Sequence, residues 1–480
     1  MKRKYFASLL AAALLISLIG CGGSGEETQT AETLPPETET EDAAEPETTI
    51  LDTLPAEDLG GMTFRMLGVS YPTRRNFPTD EEAGEAVNEA LAGRDTKVSE
   101  MLNIVIETQA EEKADTITKI VKDTVIAGDD VCDMVITDIA GSLMTLMTGG
   151  SLYDMRQMDN LSLAEKWWSY GMYENAAVNG RQYITMGDIS PMKYYAPYCL
   201  AYNLDLGKDY GYTDLYDEVL SGRWTLDLFR TMTEDANHDL DGDGDIDRDD
   251  FLGYAHVNTK ITAWAHYTGA GQVLSAANAD GDIVIPIGDD NSVQVIEICR
   301  EIMANTPDFS AQDNPTMDMF MEDRALFFGN SYSNIIANFR DMESDFSVIP
   351  TPKYNEAQEH YFSFINTWTL GGVGVPATCR NPDAAGMVME TLGRVSYMEV
   401  RPAMYETNIK SKVARNEENA QVLDLIFDNT YIDCNGIFNI GGSANVVGEA
   451  IMGQIEFASS YAAVQNKIEA GIEELMQIGQ

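Results

Sequence analysis

The densest chemistry in this 480-residue chain lies in Asp239-Leu240-Asp241-Gly242-Asp243-Gly244-Asp245-Ile246-Asp247-Arg248-Asp249-Asp250. Counted from Asp239, carboxylates fall at loop positions one, three and five (Asp239, Asp241, Asp243). A glycine follows at six for a sharp turn, and a backbone carbonyl at seven. Asp245 and Asp247 extend the set, an apolar Ile246 stands at eight, and Asp250 closes the loop. Ca²⁺ takes six to eight oxygens, and this spacing wraps a short chain around one ion. The expectation is a structural Ca²⁺ held by Asp239, Asp241, Asp243, Asp245, Asp247 and Asp250. The closing Asp is shorter than the usual Glu, so it reaches the ion with one or two contacts. A solvated acidic turn is the alternative, but carboxylates this dense repel one another without a cation.

Catalytic signatures are sparse. The 4 histidines (His238, His256, His266, His360) have no metal-ligand spacing. There is no His-Glu-x-x-His and no Gly-x-Ser-x-Gly elbow. Gly371-Gly372-Val373-Gly374 does not open a helix, because Pro376 follows, so it is a weak phosphate cradle. A glycosidase needs only two well-separated carboxylates, which 78 acidic residues do not exclude.

The N-terminus places the chain. Lys2, Arg3 and Lys4 precede an apolar run from Phe6 to Ile19, too short for a permanent span. Leu18-Ile19-Gly20-Cys21 resembles the lipobox of bacterial lipoproteins. Residues 1–20 are therefore expected to be a lipoprotein signal peptide, with Cys21 lipidated and the mature protein held outside the cytoplasm by its lipid. Residues 21–59 form an acidic Thr/Pro-rich linker, too polar and like-charged to offset the entropy of ordering. Roughly 420 residues remain, enough for two lobes. With 78 acidic against 31 basic residues the net charge is −47, which argues against nucleic-acid binding. Of the 6 cysteines, Cys132, Cys199, Cys299, Cys379 and Cys434 are left after Cys21. An odd number cannot all pair, and buried free thiols are the ordinary reading.

The elements that must carry any site alternate strand and helix. Thr63–Leu67 is a strand, about Glu81–Leu102 a helix, Asn103–Thr108 a strand. A second helix carries Ile117, Ile120, Val121 and Val125 and ends at Ala127-Gly128. Cys132–Thr137 is apolar enough to be a central strand. This order predicts a parallel α/β sheet, with ligand-facing loops at Gly68–Phe77 and Thr137–Gly141. Later strands are read at Cys199–Asn203, Ala325–Asn330 and Phe346–Ile349. Thr225 is placed as the N-cap of a helix, and Val464, Ile468, Ile472 and Leu475 as the stripe of the last helix.

Five segments in order carry a family resemblance. Asp133-Met134-Val135-Ile136-Thr137-Asp138 followed by Gly150-Ser151-Leu152-Tyr153-Asp154-Met155 is the first. Ala201-Tyr202-Asn203-Leu204-Asp205-Leu206 and Arg223-Trp224-Thr225-Leu226-Asp227 follow. Asp241–Asp245 through Gly253-Tyr254, and Val348-Ile349-Pro350-Thr351-Pro352-Lys353, complete the set. Together, behind a lipobox, they resemble the solute-binding lipoproteins of carbohydrate-type ABC importers, the maltose-binding-like, type II periplasmic-binding-protein class. One departure is Leu204, where the pattern has Lys.

The resemblance implies two α/β lobes joined by three hinge crossings, near Ile189–Tyr198, Phe328–Ser331 and Trp368–Pro376, and closing on a ligand. Lobe 1 is then expected at 60–190 and 330–367, lobe 2 at 191–329 and 368–480. It also implies a monomer without enzymatic activity that takes a small solute, most often a sugar, and delivers it to ABC permease subunits. Sugar pockets combine flat aromatics with short polar side chains. Candidate contacts are Trp368, Trp264, Tyr198, Tyr332 and Trp168, with Asp138, Arg75 and Asn330 as polar partners. Asp138 has a rival role as a helix N-cap, and Arg75 as a partner of surface acids. Two other readings stay open: an extracellular glycan-active enzyme, and a calcium-dependent adhesion module. The acidic loop also resembles dockerin loops, although a dockerin has a second copy and none is present.

Overall fold

The computed structural model describes residues 57–478, apart from 71–74, 83, 214, 279–281, 308–314, 340–341, 369–370 and 409–416. The expected signal peptide, Cys21 and nearly all of the expected linker lie outside the described residues. The strands are β1 (Met62–Val69), β2 (Ile104–Glu111), β3 (Met134–Thr137), β4 (Thr185–Met186), β5 (Tyr198–Asn203) and β6 (Leu252–His256). A short hairpin, β7 (Ala276–Ala277) and β8 (Ile283–Val284), follows. Then come β9 (Ala325–Ser331), β10 (Phe346–Ile349), β11 (Ser363–Phe364), β12 (Gly372–Gly374) and β13 (Thr430–Tyr431).

Two mixed sheets organise these strands. The first runs β2-β1-β3-β12-β4, the second β10-β5-β9-β6. β1 lies parallel to β2 and β3, as the strand–helix alternation predicts, whereas β12 enters antiparallel between β3 and β4. Alternate side chains of this sheet feed separate cores. Phe64, Met66, Met134 and Ile136 pack on one face, Leu67, Val69 and Val135 on the other. A sheet covered by helices on both faces needs such apolar runs. The second sheet carries its own core, with Leu200, Ala201, Tyr254, Phe327, Phe328 and Ile349.

Local signals explain the helix ends. The helix Ala114–Ala127 stops at Gly128, whose φ of 73° suits glycine. Thr225 caps Leu226–Ala236 by accepting the Leu228 N–H. The first helix begins at Ala86 rather than near Glu81. Gly84 has a φ of 91°, and Asp80–Glu82 forms a separate 3₁₀ turn.

The chain passes between the sheets at 187–197, and again between β10 and β12 at 350–371. The helix Pro382–Val395 then packs on the first lobe, and Val400 and Met404 join the second core, so a third passage runs through Ser396–Val400. This corrects two expectations. No crossing occurs at Phe328–Ser331, because β9 and β10 both belong to the second sheet. The expected lobe boundaries change accordingly: 330–367 carries β10 against β5 in the second lobe, and the start of 368–480 carries β12 in the first. Backbone pairing decides sheet membership here, and an apolar strand does not announce its partner.

The passages are tied by buried polar groups. Arg94, 1% exposed on Ala86–Leu102, donates to the Ile189 carbonyl at 2.8 Å and to Ser396 Oγ at 3.3 Å. One guanidinium thus holds the first and third passages together. Lys193 Nζ pairs with Asp188 at 3.2 Å, and the Tyr194 hydroxyl donates to the same carboxylate. Burial, with the Asp188 charge adding to it, raises the Tyr194 pKa well above its ordinary value. All five described cysteines are free and buried, as expected.

Candidate functional site

Asp138 follows β3 and opens the turn Ile139–Leu143, which runs into the helix Met144–Thr148. Its Oδ1 accepts the Gly141 N–H at 2.6 Å and the Ser142 N–H at 3.1 Å, and its Oδ2 accepts from Ser142 Oγ at 2.6 Å. The rival reading of Asp138 as an N-cap is therefore realised. The remaining free donors of this turn, the Ile139 and Ala140 N–H groups, both reach the Thr367 carbonyl, at 3.0 and 3.1 Å. The next residue is Trp368. Its ring lies against Gly141: a Cβ added there would stand 3.4 Å from Trp368 Cζ3 and 2.8 Å from Asp138 Oδ1. Trp368 is 64% exposed, while Trp167, Trp168 and Trp224 are buried.

The segment leading to Trp368 is held at several points. β11 pairs with β13, Ile365 bridges to Pro197, and the Asn366 N–H donates to the Ala196 carbonyl at 3.1 Å. Asn366 Oδ1 in turn accepts the Trp368 N–H at 3.1 Å. Four residues before Trp368, the Phe364 ring lies 6.0 Å from that of Trp264. Trp264 is half-buried and donates its indole N–H to the Ala444 carbonyl at 2.8 Å. Trp368 and Asp138 thus flank the same glycine, Gly141, and Trp264 packs beside Phe364 on the strand that leads to Trp368.

The other predicted contacts have structural duties. Trp168 is buried, donates to Glu390 at 3.0 Å and packs on Gly187. The Tyr198 hydroxyl sits among Tyr254 and Thr262, and burial raises its pKa. Tyr332 is fully buried edge-on to Phe427, with ring centroids 5.1 Å apart. These three rings are core residues, out of reach of a solute unless the lobes unpack. Asn330 Oδ1 accepts from the Ser331 N–H and from Asn334 Nδ2. Arg75 pairs with exposed Glu81 at 3.2 Å, the surface role anticipated for it. Sequence reasoning placed Gly141 in a ligand-facing loop but passed over Asn366 and the Thr367 carbonyl. An Asn two residues before a Trp is a turn signal, whereas a carbonyl acceptor leaves no trace in sequence.

In the acidic loop, carboxylate oxygens of Asp239, Asp241 and Asp243 all lie within 4.8 Å of one another, on exposed side chains. Gly244 has a φ of 95°, as the sharp turn requires. Asp250 is turned to the backbone, accepting the Leu240 N–H at 2.7 Å and the Asp247 N–H at 2.8 Å. Those bonds hold its pKa below the ordinary carboxylate value. At Asp241 a backbone N–H from Asp243 acts in the lowering direction. Desolvation and the Asp243, Asp250 and Asp239 charges outweigh it, so the pKa is raised. The three converging carboxylates fit a hard cation.

A separate cavity of about 500 Å³ lies between Met144–Thr148 and the C-terminal helix Phe457–Leu475, with Met147, Ile440 and Leu475 in its wall. None of the eight predicted solute contacts lines it.

Residues 96–392 match the family model described as bacterial extracellular solute-binding protein. The chain belongs to that family. Its members bind solutes and are not enzymes. Solved structures share the two-lobed fold. A cyclo/maltodextrin-binding protein complexed with maltotetraose superposes with a TM-score of 0.55 at 14% identity, over 87% of this chain and 98% of the other. The galacto-N-biose-/lacto-N-biose I-binding protein of a Bifidobacterium longum ABC transporter, in complex with lacto-N-biose, gives 0.55 at 13%, over 87% and 99%. An uncharacterised Listeria monocytogenes protein gives 0.57 at 13%, over 86% and 100%. No curated protein sequence matches the chain significantly. Among the described residues, no helix of this solute-binding protein is long and apolar enough to cross a membrane.

Proposed function

We propose that this solute-binding protein captures a small carbohydrate against Trp368 and delivers it to the permease of an ABC importer. The observation that carries this reading is one flat aromatic, 64% exposed, standing where the second passage between the sheets meets the carboxyl end of β3. An exposed indole costs solubility unless something covers it, and the apolar face of a pyranose is a good cover. Ligands of open α/β sheets sit at the carboxyl ends of strands, and Trp264 lies along the same segment. The neighbouring folds complexed with maltotetraose and lacto-N-biose support the sugar class. The cavity beside Met147 and Leu475 is the competing seat, with Thr148, Glu474 and Gln477 as its polar groups.

In this reading Cys21 carries lipid that moors the monomer to the outer face of the membrane, and residues 21–59 hold the lobes away from it. The loop at 239–250 binds a structural Ca²⁺, with Asp239, Asp241 and Asp243 as first ligands. A thermal-shift panel of neutral oligosaccharides tests the main claim. At least one sugar raises the Tm and is recovered intact. Recovery of cleaved sugar, or no shift across the panel, overturns it.

A further inference from the structure

We propose that Asp138 makes the exposed face of Trp368 selective against anionic solutes; the proposal rests on the carbohydrate reading and names the charge class that this face admits. A helix N-terminus ordinarily attracts anions, through free N–H groups and its dipole. Here those donors are spent within the chain. The Ile139 and Ala140 N–H groups go to the Thr367 carbonyl. The Gly141 and Ser142 N–H groups go to Asp138 Oδ1, and Ser142 Oγ to Oδ2. No donor of the turn is left for a uronate or a phosphate.

The plug also carries a charge. Asp138 Oδ1 and Trp368 Cζ3 lie within 2.8 and 3.4 Å of one point, the position of a Cβ on Gly141. The carboxylate oxygen and the ring edge that a solute would cover are therefore no more than 6.2 Å apart, and Asp138 is 4% exposed. A buried charge is weakly screened. Arg75 pairs with Glu81 and Lys193 with Asp188, and among the described residues no basic side chain forms an ion pair with Asp138. A solute lying on Trp368 meets a carboxylate that is held by neutral donors and by no ion pair among the described residues. A neutral sugar tolerates this, because it carries no charge to be repelled. A uronic or phosphorylated sugar is repelled.

The test uses the full chain and Asp138→Asn, which keeps an oxygen for the Gly141 and Ser142 N–H groups. Asp138→Ser, another good cap, serves if the Asn variant folds poorly. Fluorescence quenching by iodide and by neutral acrylamide reads the field at Trp368, with Trp368→Phe in each background to isolate its signal. The iodide constant is expected to rise about twofold in Asp138→Asn, and the acrylamide constant to stay. In parallel, maltotetraose and tetragalacturonate are titrated into both proteins. The ratio of anionic to neutral affinity is expected to rise at least threefold in the variant. An unchanged iodide-to-acrylamide ratio, or wild-type preference for tetragalacturonate, overturns the proposal. If neither glycan binds, the carbohydrate reading falls, and the quenching ratio still decides the claim about charge.

Discussion

Replacing Trp368 with Ala separates binding from stability more cleanly than any other single change. The side chain is 64% exposed, so about 150 Å² of a full tryptophan surface of roughly 250 Å² faces water. A sugar lying on one face covers about half of that, some ~75 Å², which at ~25 cal/mol per Å² is about 2 kcal/mol. Deleting the ring should raise the Kd about 30-fold. The fold loses little, because the ring packs on the backbone of Gly141 rather than in a core. The unfolding free energy should change by less than about 0.5 kcal/mol. Isothermal titration with a sugar found in the panel measures the first quantity, and urea unfolding the second. A Kd within threefold of wild type would refute the stacking argument. A stability loss above about 2 kcal/mol would mean that Trp368 is structural.

Three further outcomes follow from other parts of the molecule. Millimolar Ca²⁺ raises the Tm and Asp241→Ala abolishes the rise; a scan that ignores Ca²⁺ sinks the metal reading of the loop. Burial lowers the His266 pKa from 6.5 to about 3, so the unfolded chain takes up that proton first. Its contribution to stability is complete above pH 6.5 and is lost as pH falls toward 3, at up to about 1.4 kcal/mol per unit. His266→Gln should flatten the slope of stability between pH 6 and 4 by as much as that, and an unaltered slope would assign the acid sensitivity elsewhere. Arg94→Met cuts the bonds to Ile189 and Ser396 and should cost about 3 kcal/mol in urea unfolding; a loss below about 1 kcal/mol would remove Arg94 as the tie between passages.

Much of the first lobe was legible because its signals are local. The apolar run ending at Thr137 could only be a covered strand, Gly128 could only end a helix cheaply, and Pro350 stops the strand from Phe346 to Ile349. The lobe boundary was harder. β9, β10 and β12 are all short apolar strands, and which sheet each joins depends on partners far along the chain. The aromatic contacts divide for the same reason. Trp168 and Tyr332 are aromatic like Trp368, but Trp368 is the one held by a polar side chain two residues before it, Asn366. Arg94 gave no sequence sign of its role, since a buried guanidinium on a helix reads like any exposed one until its acceptors, a carbonyl and a hydroxyl on two distant segments, are in place.

A crystal structure of the protein grown with a sugar from the thermal-shift panel tests the central claim most directly. The account predicts an intact sugar with one face on Trp368, beside Asp138 and between the two sheets. A sugar lodged instead in the cavity beside Met147 and Leu475, or one cut at a glycosidic bond, would contradict it.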